Sequence, residues 1–374
     1  MTDKTGDNDA PGTPAVPRVS NTRAIGTVGQ GLITDAAIPK SRVRAWALWD
    51  WGSAAFNAVV TTFVFSTYLA SGLFIDPEIV AAAGDDEKNP ALVLAKAGNT
   101  TVISGALTIA GILVAILAPI LGQRSDGSGR RKLWLAINTG LVVLAMGAMF
   151  FVEPIPSYIY LGAALLAAGN IFFEFASVNY NAMLVHVSTP ATVGRVSGFG
   201  WGMGYIGGIV LLIILLVLFI QNFGSDTGNG LLNVPFGTEG GALDIRFAVL
   251  ASAAWFAIFA IPVLIAVPEI PAGARENRVN FFASYLKLFR TIASLAKKSP
   301  QVLMFLLASA VFRDGLAAVF TFGAIIAAQV FGFSPSEVIY FAVAANLVAG
   351  IGTFIGGWLD DRLGAKNVII GSLI

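Results

Sequence analysis

The chain contains eight long apolar runs, and these constrain its fold more than any other feature. They cover residues 46–74, 98–121, 133–152, 157–186, 196–220, 245–267, 301–330 and 336–357, and a ninth run begins near Val368. A helix of about 20 apolar residues crosses the hydrocarbon core of a bilayer. Because lipid offers the backbone no hydrogen-bond partners, runs of this length must be helices. The sequence therefore predicts an all-α, polytopic membrane protein.

The composition supports a membrane location and argues against several functional classes. The chain is 56% hydrophobic and only 12% charged, unlike a water-soluble globular domain. A net charge of +1 without interleaved aromatic and basic residues predicts no nucleic-acid partner. With no cysteine, a single histidine and no GxxxxGK[ST] phosphate-binding loop, we expect no metal site, no cofactor and no ATP-driven chemistry. The chain is not expected to be an enzyme.

One turn pattern occurs twice in this apolar chain, as GQRSDGSGRRK at 122–132 and as GWLDDRLGAK at 357–366. In each copy the first glycine is expected to permit close helix approach, and the last glycine is expected to supply the turn geometry. The duplication predicts two homologous helical halves that carry substrates between them near the bilayer midplane. The candidate gate residues of the two turns are Gly122, Asp126, Gly129, Arg130, Arg131, Gly357, Asp361, Arg362 and Gly364.

The basic residues predict the orientation of the chain. Most of the 23 lysines and arginines precede the first apolar run or lie in every second loop, whereas the alternate loops contain only Lys88, Lys96 and Arg246. Since basic residues accumulate on the cytoplasmic side, the amino terminus and both repeated turns are predicted to be cytoplasmic, with the plasma membrane as the expected location.

Four regions are expected along the chain. Residues 1–41 are predicted to be a disordered cytoplasmic tail, 42–267 a six-helix transmembrane bundle, 268–300 a cytoplasmic linker with an amphipathic helix, and 301–374 the first part of a second bundle. Because a matching second half needs six helices, we expect this chain to be a fragment, truncated after about eight helices plus the start of a ninth.

Polar and charged residues within the apolar runs are the candidates for substrate binding or proton coupling. They are Asp50, Asn57, Asn170, Glu174, Asn181, Arg313 and Asp314. A charge at bilayer depth costs roughly 2.5–3.5 kcal/mol on insertion scales, so each one requires a partner, a water-filled cavity or a proton. The spacing predicts that Asp50 and Asn57 share one helical face, and that Asn170, Glu174 and Asn181 share another.

The balance of charges favours a proton-binding carboxyl among these residues. Asp50, Glu174 and Asp314 oppose a single guanidinium, Arg313, so at least one carboxyl is expected to hold a proton. We assign Glu174 to the proton and Arg313 to a substrate carboxylate. Two alternatives remain open: Arg313 and Asp314 are a buried pair that locks helices together, or Asp50 reaches interfacial water.

Three segments carry a family resemblance. They are RAWALWDWGSAAFNAVVTTFVF at 44–65, NYNAMLVHVSTPATVGRVSGFGWGMGYIGG at 179–208 and FRDGLAAVFTFGAIIAAQVFGFS at 312–334. With the repeated turns, they make the chain resemble the major facilitator superfamily and, within it, the vacuole effluxer-like family of autophagy-related amino-acid effluxers. The resemblance implies a twelve-helix permease that works by alternating access, with helices one, four and seven lining a central cavity.

The expected function is secondary active transport of a small polar solute, with amino acids as candidates and with proton-coupled alternating access as the mechanism. The expected partners are the solute, protons and the lipid bilayer. An alternative is a membrane sensor or receptor that keeps the transporter fold without transporting.

Overall fold

The computed structural model describes residues 38–84, 86, 88–220, 231–232, 234, 241–269, 281–329, 331 and 335–373. Most of the predicted tail, residues 1–37, lies outside the described residues, as does the side chain of Asp126. Every regular element in the described part is helical, which confirms the all-α fold class.

Thirteen α-helices are described. They are α1 (Lys40–Ala54), α2 (Phe65–Ala70), α3 (Pro77–Ala83), α4 (Pro90–Ser128), α5 (Arg131–Met149), α6 (Ile159–Ala182), α7 (Leu184–Val187), α8 (Val193–Leu215), α9 (Leu243–Ala266), α10 (Phe281–Lys298), α11 (Pro300–Gln329), α12 (Pro335–Leu363) and α13 (Ala365–Leu373). Two π-helical segments, Ala55–Phe63 and Leu216–Ile220, extend α1 and α8.

Six segments of the described chain are long and apolar enough to cross a membrane. They are Lys40–Ala70, Pro90–Ser125, Arg131–Met149, Pro156–Val187, Val193–Phe219 and Leu243–Ala266. These six segments correspond to the first six apolar runs. The remaining two runs coincide with α11 and α12. Large apolar side chains such as Leu94, Leu144 and Ile265 are 69–77% exposed on the outer surface, as expected where lipid replaces water. The chain is a multi-pass membrane protein.

Aromatic side chains form the centre of the bundle of the first six spans. Trp49 stacks against Phe173 with ring centroids 6.1 Å apart, and Phe173 stacks against Phe56 at 5.1 Å. Phe256 of α9 meets Trp49 edge to face at 5.7 Å. These buried rings pack the first span against α6 and α9. Their packing fixes the rotation of the first span, and therefore the direction in which its polar side faces.

The first span departs from the regular α-helix expected for it. From Ala55 to Phe63 the backbone is π-helical. The side-chain hydroxyls of Thr61 and Thr62 also donate to the carbonyls five residues earlier, at 3.1 and 2.7 Å. A π-helix has more residues per turn than an α-helix, so the spacing of three and four residues no longer defines one face. Asn57 follows the start of the π segment by only two residues, so it still lies near the face of Asp50, whereas later positions such as Thr61 are rotated away from that face.

Candidate functional site

The second repeated turn reaches across to the first six spans. The carboxylate of Asp361, in the last turn of α12, accepts hydrogen bonds from two backbone N–H groups in the first turn of α8. They are those of Gly194 (2.9 Å, to Oδ1) and Arg195 (3.0 Å, to Oδ2). The Arg195 guanidinium lies 3.8 Å from Oδ2. These amides have no partner within their own helix, and the positive end of the helix dipole favours a carboxylate there. Asp361 therefore caps α8 from a distant part of the chain.

Glycines bring the backbones of α8 and α12 into direct contact next to this cap. A Cβ added at Gly357 would lie 2.5 Å from the Gly194 carbonyl oxygen and 3.1 Å from the Gly198 Cα. A Cβ added at Gly202, one turn further along α8, would lie 2.5 Å from the ring of Phe354. No side chain other than hydrogen fits at these crossings, as in small-residue helix pairs of membranes. The close approach expected at Gly357 is confirmed.

The first repeated turn contacts the first six spans and α10. Gln123 donates to the Ser284 carbonyl of α10 at 3.2 Å. Arg131 donates to the Ala182 carbonyl at 3.2 Å, and its Nη1 lies 3.4 Å from His186 Nε2. Ser125 Oγ donates to Asn179 Oδ1, which ties α4 to α6. Among the described residues, a Cβ added at Gly122 would meet Val178 Cγ1 alone, at an ordinary 3.9 Å. The expected close approach at Gly122 is therefore wrong, because the neighbouring helix lies at normal side-chain distance.

Both turn glycines have the backbone geometry expected of them. Gly129 has φ +63° and Gly364 has φ +82°, which lie in the left-handed region that glycine tolerates best. Of the remaining basic gate candidates, Arg130 is exposed and Arg362 places its guanidinium 4.0 Å from the centre of the Trp358 ring. We call the end of the bundle formed by these two turns the repeat face.

Asp50 lies at a junction of three helices. Ser53 Oγ donates to Asp50 Oδ1 at 3.2 Å, and a Cβ added at Gly204 of α8 would lie 3.3 Å from the Asp50 carboxyl carbon. Tyr180 of α6 and Tyr205 of α8 are within electrostatic range of the carboxylate. Asp50 is ten residues into α1, so it lies about 15 Å along the helix from its start. The carboxyl thus sits inside the bundle and not at its surface.

A stack of aromatic rings beside Asp50 was not predicted from the sequence. Trp46 lies parallel to Tyr180 with ring centroids 4.5 Å apart, and Trp49 stacks on the same ring at 4.3 Å. The Tyr180 hydroxyl is buried and has no hydrogen-bond partner within the described part of the chain. The WALW sequence at 46–49 contains the signal, because tryptophans three residues apart share a helical face.

The polar residues of α6 occupy one side of a regular helix. Asn170 and Glu174 are partly buried and Asn181 is exposed, and this polar side borders the buried side of α6 that includes Leu166 and Phe173. Glu174 is within electrostatic range of Arg313 on α11. About 12 Å of helix separates Glu174 from the end of α6, and about 20 Å separates Arg313 from the start of α11. The two groups therefore lie at bilayer depth.

Three further candidate residues within the apolar runs are exposed. The side chains of Arg313 and Asp314 are exposed, because the described part of α11 packs mainly on α10 and α12. Asn57, in the π-helical segment, is exposed as well. Glu174 thus lies within electrostatic range of Arg313, and Asp50 lies against α8. Within the described residues no group of three or more His, Cys, Asp or Glu side chains is arranged to hold a metal ion.

Comparison with known proteins gives consistent matches. A family model described as vacuole effluxer Atg22-like matches residues 185–374. The uncharacterized MFS-type transporter YxiO of Bacillus subtilis (strain 168) is 25% identical over 336 residues, which is 88% of this chain and 70% of that protein. Autophagy-related protein 22-1 of Neosartorya fischeri is 24% identical over 209 residues, 51% of this chain and 32% of that protein. The chain therefore spans about a third of the length of this fungal relative.

A solved structure supports the same fold. The proton:xylose symporter XylE, a major facilitator superfamily protein bound to 6-bromo-6-deoxy-D-glucose, superposes with a TM-score of 0.53 at 12% identity, over 86% of this chain and 70% of that chain. At this identity the likeness establishes the fold alone. The chain has the major facilitator superfamily fold and belongs to the vacuole effluxer Atg22-like family.

Proposed function

We propose that this chain forms part of a secondary transporter that moves a small polar solute by alternating access, and that the structure represents the state closed at the repeat face. The observation that carries the proposal is the contact of α8 with α12, where glycine backbones touch and Asp361 caps α8. Alternating access needs a contact between the two bundles that forms in one state and separates in the other. In this proposal the bundles are residues 42–267 and the helices from residue 301 onward.

The repeat face is cytoplasmic in this proposal. The excess of basic residues at the amino terminus and in the repeated turns supports that orientation, and the plasma membrane is the proposed location. Closure of the repeat face then leaves the central site accessible from the outside. Gating belongs to the two turns, with Asp361, Gly357 and Arg362 in the second and with Asp126, Arg130 and Arg131 in the first.

Proton coupling is assigned to Glu174. This carboxyl lies at bilayer depth, partly buried, within electrostatic range of Arg313. When a solute carboxylate neutralises Arg313, Glu174 loses the positive field that favours its ionised form, so it binds a proton more readily. Amino acids fit this arrangement because they carry a carboxylate, and the name of the fungal relative places it in autophagy. The description of XylE as a proton symporter shows that this fold can couple transport to protons.

The test is transport by the full-length protein in liposomes preloaded with a labelled amino-acid mixture, with and without a pH gradient. We expect gradient-driven flux of particular amino acids that Glu174→Gln abolishes, because glutamine cannot carry the proton. Glu153→Gln is the matched control, because Glu153 lies outside the spanning segments. Its Oε1 is 3.9 Å from Nη2 of Arg246. Absence of flux from a folded, inserted wild-type protein across a broad solute panel would reject transport in favour of a sensor.

A further inference from the structure

The amphipathic helix α10 carries a concentrated positive charge. Its sequence, FFASYLKLFRTIASLAKK, contains four basic residues and no acidic residue. Asp314 is the first acidic residue after it, about 20 Å along α11 from the junction of the two helices. This segment therefore attracts anions without competition from carboxylates of its own helix.

The basic side chains line a groove of about 640 Å³ along one face of α10. Lys287, Arg290 and Lys298 contribute the charges, and Thr291 and Ser294 contribute hydroxyl groups. At about 100° per residue these five positions fall within one sector of the helix. Their spacing of three and four residues thus presents three cations and two hydroxyls to the same space, a combination that suits a phosphate group.

Apolar side chains adjoin this groove. Leu286 lines its edge and is 49% exposed. Phe289 and Ile292 lie on the opposite face of α10 and are 64% and 40% exposed, so α10 has one basic and one apolar face. Such a helix lies in the membrane interface, where its apolar face meets acyl chains and its long basic side chains reach the headgroups.

α10 is also held at the level of the bilayer surface. Gln123 at the end of α4 donates to the Ser284 carbonyl at 3.2 Å, and the Tyr285 hydroxyl donates to the Ile116 carbonyl. The chain then turns by 118° into α11. These contacts keep the groove at the repeat face, next to the apolar surface of α4 that faces lipid.

We propose that the groove formed by Lys287, Arg290, Thr291, Ser294 and Lys298 binds the phosphate headgroup of an anionic phospholipid from the leaflet at the repeat face. Basic clusters on interfacial helices attract anionic lipids to the membrane surface. This site is separate from the transport pathway, so its test does not depend on flux.

The test uses full-length protein in phosphatidylcholine vesicles that contain a small fraction of photoactivatable phosphatidylglycerol. We expect labelled peptides from 283–299, and little labelling there by photoactivatable phosphatidylcholine. The triple variant Lys287→Gln, Arg290→Gln and Lys298→Gln is expected to lose labelling on the order of tenfold. The control Lys40→Gln, Arg42→Gln and Arg44→Gln removes the same charge from the start of α1 and is expected to retain the labelling.

Two results would overturn the proposal. Equal labelling of the triple variant and its control would show that general surface charge, and not this groove, attracts the lipid. Displacement of the lipid by excess inorganic phosphate would show that the groove takes a soluble anion. If the triple variant does not elute as a folded protein, the single change Arg290→Glu serves in its place, with the same expected loss of phosphatidylglycerol labelling.

Discussion

The two copies of the repeated turn share a sequence pattern but are used differently in this structure. In the first copy, Arg131 bonds to the end of α6, and Gly122 faces an ordinary side-chain contact. In the second copy, Asp361 caps α8 and Gly357 touches the backbone of α8. The first copy therefore bonds to α6 and α10, whereas the second copy joins α12 to α8. Motif identity predicts the local turn, whereas the neighbouring helix decides its role.

The strongest way to test this difference is to lock the α8–α12 contact covalently. A Cβ added at Gly350 would lie 3.3 Å from the Tyr205 Cβ, close to the Cβ separation of a disulfide. The chain has no cysteine of its own, so Tyr205→Cys with Gly350→Cys gives an unambiguous pair. We expect oxidation to form the bond and stop transport, and reduction to restore it. Each single cysteine variant is the control, and continued transport with the bond formed would refute closure at this contact.

Adding one methyl group to each copy compares the first glycines directly. Gly357→Ala places a Cβ 2.5 Å from the Gly194 carbonyl oxygen, and we expect a loss of about 1–3 kcal/mol in the stability of the closed state. Gly122→Ala meets only Val178 at 3.9 Å and is expected to be neutral or slightly stabilising.

The rate of cross-linking between cysteines at 205 and 350 measures this effect, and thermal unfolding in detergent measures overall stability. Equal effects of the two alanines on cross-linking would remove the distinction between the copies.

Removing the charge of Asp361 is expected to have a smaller effect. Asp361→Asn keeps one oxygen acceptor for the α8 amides but loses the interaction with the helix dipole and with Arg195, a loss of about 1–2 kcal/mol. We expect slower cross-linking at 205 and 350 and an effect that weakens at high salt. Asp360→Asn is the comparison variant, because the Asp360 carboxylate also packs against Gly194 and the pair of variants separates the contributions of the two carboxylates. If Asp360→Asn slows cross-linking more than Asp361→Asn does, Asp360 and not Asp361 is the main cap of α8.

The smallest effect is expected in the first copy. Arg131→Gln removes the hydrogen bond to the Ala182 carbonyl, which is worth about 0.5–1.5 kcal/mol. We expect a lower unfolding temperature with unchanged cross-linking between 205 and 350. Lys132→Gln is a useful companion, because Lys132 donates to the Val267 carbonyl at 3.2 Å within the same six spans. A marked change in cross-linking would show that the first copy also joins the two groups of helices.

Much of the local structure could be predicted from the sequence. The apolar runs predicted the spans, the duplicated pattern predicted turns with glycine at positive φ, and the spacing of Asn170, Glu174 and Asn181 predicted one face of α6. Each of these follows from interactions between residues close in the chain. The π-helical segment of α1 was not predictable in this way, because the apolar pattern at 55–63 suits an α-helix equally well.

The helical fold, the membrane location and the duplicated turn follow from the sequence, because lipid leaves the backbone few choices and glycine adopts a left-handed turn most easily. The capping of α8 by Asp361, the contact of Gly198 with Gly357 and the stacking of Tyr180 beside Asp50 depend on the tertiary structure. These partners are far apart in the chain, and their contact depends on how whole helices pack. The sequence pattern indicates which residues are suited to a helix–helix contact, and the packing of the helices determines which of those contacts form.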